Sequence, residues 1–264
     1  MILKKSIWAI AALVLLVVGC NSKPNLKYPE ISGHRGAENI APENTMASLD
    51  SCIKYNIEFA ECDIIISKDS VFYILHDHTL DRTTNGTGPI AEWNSADIDT
   101  LDAGSWFGEK FKGQRVPKLT DFLKKAKESG LKLTLDYRTG DITKMVDLVR
   151  EAGMIENCTY VFYNTDDYFE LKNNNPDVNM LQAYIDGASD YDKIYAEMKP
   201  NIAVIYLDSL TLELSRHIKK DGVKVLALAF NKDATPEELY QRAAELEVDV
   251  IATGNPEAMK KMNK

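Results

Sequence analysis

Three short stretches of this sequence bring reactive side chains close together: His34-Arg35-Gly36, Glu61-Cys62-Asp63 and His76-Asp77. A fourth candidate, Asp136, follows the apolar run Leu133-Thr134-Leu135. Alternate side chains of an extended strand share a face, so Glu61 and Asp63 point the same way. Residues 64–67 and 70–75 read as strands on either side of Lys68-Asp69, too close for a parallel crossover, which makes them a hairpin. With a two-residue turn, Ser67 faces Ser70, Asp63 faces Ile74 and Glu61 faces His76. That spacing gathers two carboxylates and an imidazole, and a slip of one residue would undo it. Carboxylate oxygens suit Ca²⁺ or Mg²⁺ better than zinc. Imidazole exchanges protons near neutral pH.

Eight extended segments must position these groups: residues 30–33, 59–66, 131–137, 159–163, 180–185, 203–207, 224–230 and 249–253. Helical patterns separate them. One runs from Thr120 to Gly130. Another opens at Asp141, carries Ile142, Met145, Val146 and Val149 on one face, and stops at Gly153. A third begins with the capping box Thr235-Pro236-Glu237-Glu238 and turns Leu239, Ala243 and Leu246 inward. Alternating strands and helices imply a parallel sheet, and eight repeats predict an α/β fold closed as a (β/α)₈ TIM barrel spanning residues 30–264. No GxGxxG follows the first strand, which disfavours an open dinucleotide-binding sheet. His34, Arg35, Glu61, Asp63 and Asp136 fall at strand ends, where barrel enzymes carry their active sites. Residues 78–118 break the alternation. Their aromatics, Trp93, Trp106, Phe107 and Phe111, suit either a cap near the site or an excursion with its own small core.

The chain has 264 residues, enough for one such domain, and a net charge of −9. That acidic balance argues against a nucleic-acid partner, which demands a basic face. At the N-terminus, Lys4 and Lys5 precede an apolar run over residues 7–18 that ends in Gly19-Cys20. The run is too short to span a bilayer comfortably and has the form of an export signal. Its end resembles a bacterial lipobox. The expectation is a signal peptide over residues 1–20, a lipid anchor on Cys20, a polar tether over 21–29, and a place in the bacterial cell envelope. Cys52, Cys62 and Cys158 form no CxxC pair and read as buried small apolar residues.

Several further motifs stand in one order: Ala41-Pro42-Glu43-Asn44-Thr45, Thr79-Leu80-Asp81-Arg82-Thr83-Thr84-Asn85-Gly86, and Leu101-Asp102-Ala103-Gly104-Ser105-Trp106-Phe107. With His34-Arg35-Gly36, Glu61-x-Asp63 and His76-Asp77, the sequence over residues 33–119 resembles the glycerophosphodiester phosphodiesterase family. The resemblance weakens beyond Asp136. It implies a metal-dependent hydrolase that converts a glycerophosphodiester to glycerol phosphate and an alcohol. Glu61, Asp63 and Asp136 would hold the cation, and His34 and His76 would act as general base and acid. Arg35 would grip phosphate oxygens with its planar fork, and Arg138 would stand near them. Glu43 and Asn44 would cap the helix starting near Thr45 and brace the His34 loop. His78 and His217 are expected to lie outside the chemistry.

The sequence departs from the family pattern in places. Asp136 stands where a Glu is usual, and Arg138 where a Lys is. The seventh of the eight parallel strands ends Leu228-Ala229-Phe230-Asn231 without the usual Trp, and Gly254 replaces an Asp. Spider-venom sphingomyelinases D resemble the same barrel and use an Asp at the comparable strand. Two rival readings therefore stand beside hydrolysis: a phosphate-ligand-binding lipoprotein without turnover, and a sphingomyelinase-D-like phospholipase that cyclises its substrate.

Overall fold

The computed structural model describes residues 26–263; the expected signal peptide and Cys20 lie outside them. Parallel strands β1 (Glu30–Gly33), β2 (Phe59–Ile66), β4 (Lys132–Tyr137), β5 (Cys158–Val161), β6 (Leu181–Tyr184), β7 (Ile202–Tyr206), β8 (Lys224–Leu228) and β9 (Val250–Thr253) pair in that order. Pairing of β1 with both β2 and β9 closes the barrel. The short β3 (Phe72–Ile74) adds antiparallel to β2. The predicted (β/α)₈ class is the observed one, and strand limits shift by a residue or two.

Helices cover the outside: α1 (Met46–Lys54), α3 (Leu119–Ser129), α4 (Ile142–Glu151), α5 (Thr165–Asn174), α6 (Ala188–Met198), α7 (Leu212–Lys220), α8 (Pro236–Glu245) and α9 (Pro256–Lys260), with the single turn α2 (Ser95–Ile98) in the 78–118 insertion. Their ends follow local chemistry. Gly130 closes α3 in the left-handed conformation (φ 73°), and Asp141 caps α4. The Thr235–Glu238 capping box opens α8. Thr45, with Ser48, caps α1, so Glu43 and Asn44 are not its cap.

Side-chain parity along the strands separates two cores. Ala60, Cys62, Leu133, Leu135, Ala203, Ile205, Val225, Ala227 and Ile251 face outward and pack beneath the helices. Phe59, Ile202, Val204, Leu226, Leu228, Val250 and Ala252 face inward and fill the barrel. Each fully buried Leu, Ile or Val contributes about 1.5–3 kcal/mol of transfer free energy. Cys52, Cys62 and Cys158 are buried free thiols, as expected. Tyr28, placed in the tether by sequence, stacks on Tyr240 of α8.

The hairpin register differs from the expected one by a residue. Ile64 pairs with Ile74 and Ile66 with Phe72. Ser70 adopts φ 65°, lengthening the turn to Lys68-Asp69-Ser70, and Ser67 N donates to Val71 O at 2.9 Å. A turn residue in the left-handed region is the usual device of a three-residue hairpin loop. His76 still reaches the site, because β3 ends at Ile74 and the chain turns inward there. The insertion builds its own small core from Leu80, Ile90, Ile98, Leu101, Ala103 and Val116 against Ile65 and Tyr73. Its aromatics support that core or one another: Trp93 packs on it, and Trp106, Phe107 and Phe111 meet edge to face.

Candidate active site

The C-terminal ends of the strands enclose a cavity of about 300 Å³. Parity explains its lining. Residues 61 and 63 on β2, 134 and 136 on β4, and 159 and 161 on β5 all point inward, and continuing the count past the strand ends gives Arg138 and Tyr163. The same rule yields Tyr206 after Val204 and Phe230 after Leu228. One side of the mouth carries His34, Arg35, Glu61, His76, Asp136 and Arg138. The other carries Tyr163, Tyr184, Tyr206, Leu228 and Phe230.

Both predicted imidazoles are held by a carboxylate through Nδ1. His34 Nδ1 lies 2.6 Å from Glu38 Oε1, and His76 Nδ1 lies 2.6 Å from Asp77 Oδ1. A carboxylate there favours the Nδ1–H tautomer and leaves Nε2 for proton transfer. His34 Nε2 stands 4.0 Å from Glu61 Oε2, and the ring rests against Phe230 at a centroid distance of 4.4 Å.

Arg35 occupies the left-handed region (φ 48°), and so does Asn44 (φ 54°). Such strain persists only where neighbours enforce it. Here Arg35 N donates to Glu61 Oε2 at 2.6 Å, and Asn44 N donates to Arg35 O at 3.0 Å. Arg35 Nη1 donates to Glu43 Oε1 at 2.8 Å, while Asn44 Nδ2 donates to Asp63 Oδ2 at 2.8 Å. Glu43 thus braces the His34 loop as expected. Asn44 orients Asp63.

Glu61, Asp63 and Asp136 offer carboxylate oxygens within 4.8 Å of one another, all buried. Burial, then the charges of Asp63 and Asp136, push the Glu61 carboxyl well up. Burial, then Asp63, push Asp136 up as well. Arg138 offsets part of this charge: Nη2 donates to Asp63 Oδ1 at 2.6 Å and to Asp136 Oδ2 at 3.3 Å. Its Nε–Nη2 edge is therefore turned to carboxylates, a placement the sequence reading did not include. Among the described residues, four buried side-chain polar atoms lack a hydrogen-bond partner, and Asp136 Oδ1 and Arg35 Nε are two of them. Orphaned buried atoms at one spot mark a place for a ligand. Three hard oxygen donors with an open lone pair fit a divalent cation such as Ca²⁺ or Mg²⁺.

The model of the glycerophosphoryl diester phosphodiesterase family matches residues 34–258. The chain belongs to this family. A glycerophosphodiester phosphodiesterase of Caldanaerobacter subterraneus is 26% identical over 235 residues, 87% of this chain and 95% of the relative. Alignments with two Bacillus subtilis relatives span less than half of those proteins. The glycerophosphodiester phosphodiesterase structure of Agrobacterium tumefaciens superposes with a TM-score of 0.80 at 31% identity, covering 88% of this chain and 99% of that one. An Oleispira antarctica phosphodiesterase solved with its product sn-glycerol-3-phosphate has the same fold (TM-score 0.80, 24% identity, 90% and 98% coverage).

Against the glycerophosphodiester phosphodiesterase pattern, the departures acquire physical detail. A Cβ at Gly254 would come within 3.0 Å of Glu38 Cγ and of Asn39. The space of the usual Asp is thus filled from the His34 loop, and Glu38 carries a carboxylate to His34. Phe230 supplies the aromatic face beside His34. Tyr163 Oη donates to Asp136 Oδ2 at 2.6 Å. Burial, then Asp136, push that phenol up, so it stays a donor. Glu38, Arg82 and Tyr163 are the partners that sequence reasoning missed. Glu38 was signalled by its place four residues after His34, and Tyr163 by strand parity. His78 is exposed, and His217 of α7 pairs with Asp192 of α6, and neither lines the cavity.

Proposed function

We propose that this chain hydrolyses glycerophosphodiesters to glycerol phosphate and an alcohol by general acid–base catalysis between His34 and His76, with Ca²⁺ or Mg²⁺ held by Glu61, Asp63 and Asp136. One observation carries the reading: two imidazoles, each fixed at Nδ1 by its own carboxylate, line one cavity with two guanidiniums and the carboxylates of Glu61 and Asp136, and the buried Asp63 offers an oxygen within 4.8 Å of those two. A bound cation would neutralise the diester's charge. Arg35 and Arg138, both lining the cavity, would add positive charge beside the phosphate oxygens, with donors not already spent on Glu43, Asp63 and Asp136. The Nε2 of one histidine takes a proton from the attacking water as its oxygen bonds to phosphorus, and the other histidine gives a proton to the alkoxide as its P–O bond breaks. The aromatic side of the mouth receives the organic part of the substrate.

The test is turnover of glycerophosphocholine by the purified domain, metal-stripped and then resupplied with Ca²⁺, Mg²⁺ or Mn²⁺, with products identified. Metal-restored release of glycerol phosphate is the expected result. Accumulation of a cyclic phosphate would instead assign the cyclising reaction, and ligand binding without turnover would assign a binding protein.

Export and lipid anchoring at Cys20 belong to the same proposal. They rest on Lys4, Lys5, the apolar run and Gly19-Cys20. In a bacterial host, Cys20→Ser should move the chain from the membrane fraction to the soluble one. An unchanged distribution would refute the anchor.

A further inference from the structure

Asp136 is one methylene shorter than the Glu usual at this strand end, so its carboxylate sits farther back toward β4. A short acid with two equivalent oxygens can rotate about its last torsion, which is broad for Asp. Here the two oxygens are not equivalent. Oδ2 accepts from Tyr163 Oη at 2.6 Å and from Arg138 Nη2 at 3.3 Å, while Oδ1 is buried and accepts from nothing.

Tyr163 is itself held on two sides. Its ring stacks on Tyr184 at 5.4 Å with 18° between planes, and the Arg138 guanidinium lies 4.9 Å from its centroid. The ring is about half exposed, yet its hydroxyl end reaches the buried acid. The pairing follows from topology. Asp136 is in register with Val161 of β5, and Tyr163 lies two residues further, on the same inward face. Any residue here without a hydroxyl at that reach would leave Asp136 Oδ2 with only the 3.3 Å bond from Arg138 Nη2.

We infer that Tyr163 is a positioning residue for metal binding: its hydroxyl fixes the Asp136 carboxylate with Oδ1 turned to the cation and so offsets the missing methylene. This rests on the metal reading above. It makes the aromatic at position 163 a partner of the Asp at position 136, and it predicts that the two act as a unit.

Calorimetric titration of the metal-stripped protein with CaCl₂ and MgCl₂ tests this, using wild type, Tyr163→Phe, Asp136→Glu and the double variant. Phe keeps the stacked ring and removes only the hydroxyl. Groups that orient a metal ligand typically change affinity 10–100-fold when lost, so Tyr163→Phe should weaken cation binding by at least about tenfold. In the Asp136→Glu background the same change should cost less than about twofold, because the longer acid no longer needs the phenol. An unaltered affinity in Tyr163→Phe, or equal losses in both backgrounds, would overturn the inference while leaving the metal site standing. A wild-type chain that binds neither cation would overturn both.

Discussion

The Arg82 guanidinium grips both carboxylate oxygens of Glu43, Nη1 to Oε2 at 2.7 Å and Nη2 to Oε1 at 2.8 Å, while its Nε holds Asp77 Oδ2 at 2.7 Å. Because Glu43 also holds Arg35 and Asp77 also holds His76, one side chain from the insertion links Arg35 to His76 across the mouth of the cavity.

Arg82→Met should therefore lower kcat by roughly ten- to hundredfold through misplacement alone. It should also change the pH profile of stability. Arg82's hydrogen bonds, then His76, hold the Asp77 carboxyl below its usual range. A depressed folded-state pKa contributes stability that is present above the unfolded value, about 4, and is lost as pH falls below it. Urea midpoints of wild type and variant should differ at pH 6 and converge as pH falls from about 4 towards 2.

His34→Ala and His76→Ala should each reduce kcat by at least about 10²–10⁴-fold with little change in melting temperature, since both rings lie partly exposed at the mouth. A folded variant of either kind with near wild-type turnover would exclude the acid–base assignment.

Asp63 is 1% exposed and carries Asn44, Arg138 and the nearby Arg35. Removing it leaves two guanidiniums without their central anion. Breaking a buried pair in this way costs about 3–5 kcal/mol. Asp63→Ala should show that loss in denaturant titrations of the metal-stripped protein, besides losing cation binding.

Gly33 precedes His34 with no space for a side chain: a Cβ there would lie 1.9 Å from Gly36 O and 2.6 Å from Cys52 Sγ. Gly33→Ala must displace the His34-Arg35-Gly36 loop. A stability loss of about 1–3 kcal/mol is expected, as for overpacked cores. Turnover should fall further than the same loss at a remote site would produce.

The barrel was legible because eight short apolar runs, buried on both faces, alternate with helical patterns whose ends are marked by caps and glycines. The charged half of the site was legible because its residues sit in tight sequence clusters at strand ends. What escaped had weaker local signals. Ser70 takes a left-handed turn position without being Gly, so the hairpin was read one residue short. Arg82 reaches Glu43 across 39 positions, and Tyr163 reaches Asp136 across 27, distances at which pairing depends on barrel closure. The two histidines were visible as residue types, and Asp77 as the neighbour of His76, whereas the spacing of Glu38 from His34 is a weak signal in a loop and the pairing is made by the fold.

The mouth is divided by strand of origin: the ionic groups come from residues 34–138, and the aromatic and aliphatic ones from residues 161–252. Charge and apolar surface thus come from different stretches of one polypeptide, joined where Tyr163 meets Asp136 and Phe230 meets His34. Exchanging Tyr206 or Leu228, which line the mouth without a hydrogen bond or ring contact to His34 or His76, should alter which alcohol fits while His34 and His76 keep their carboxylate partners.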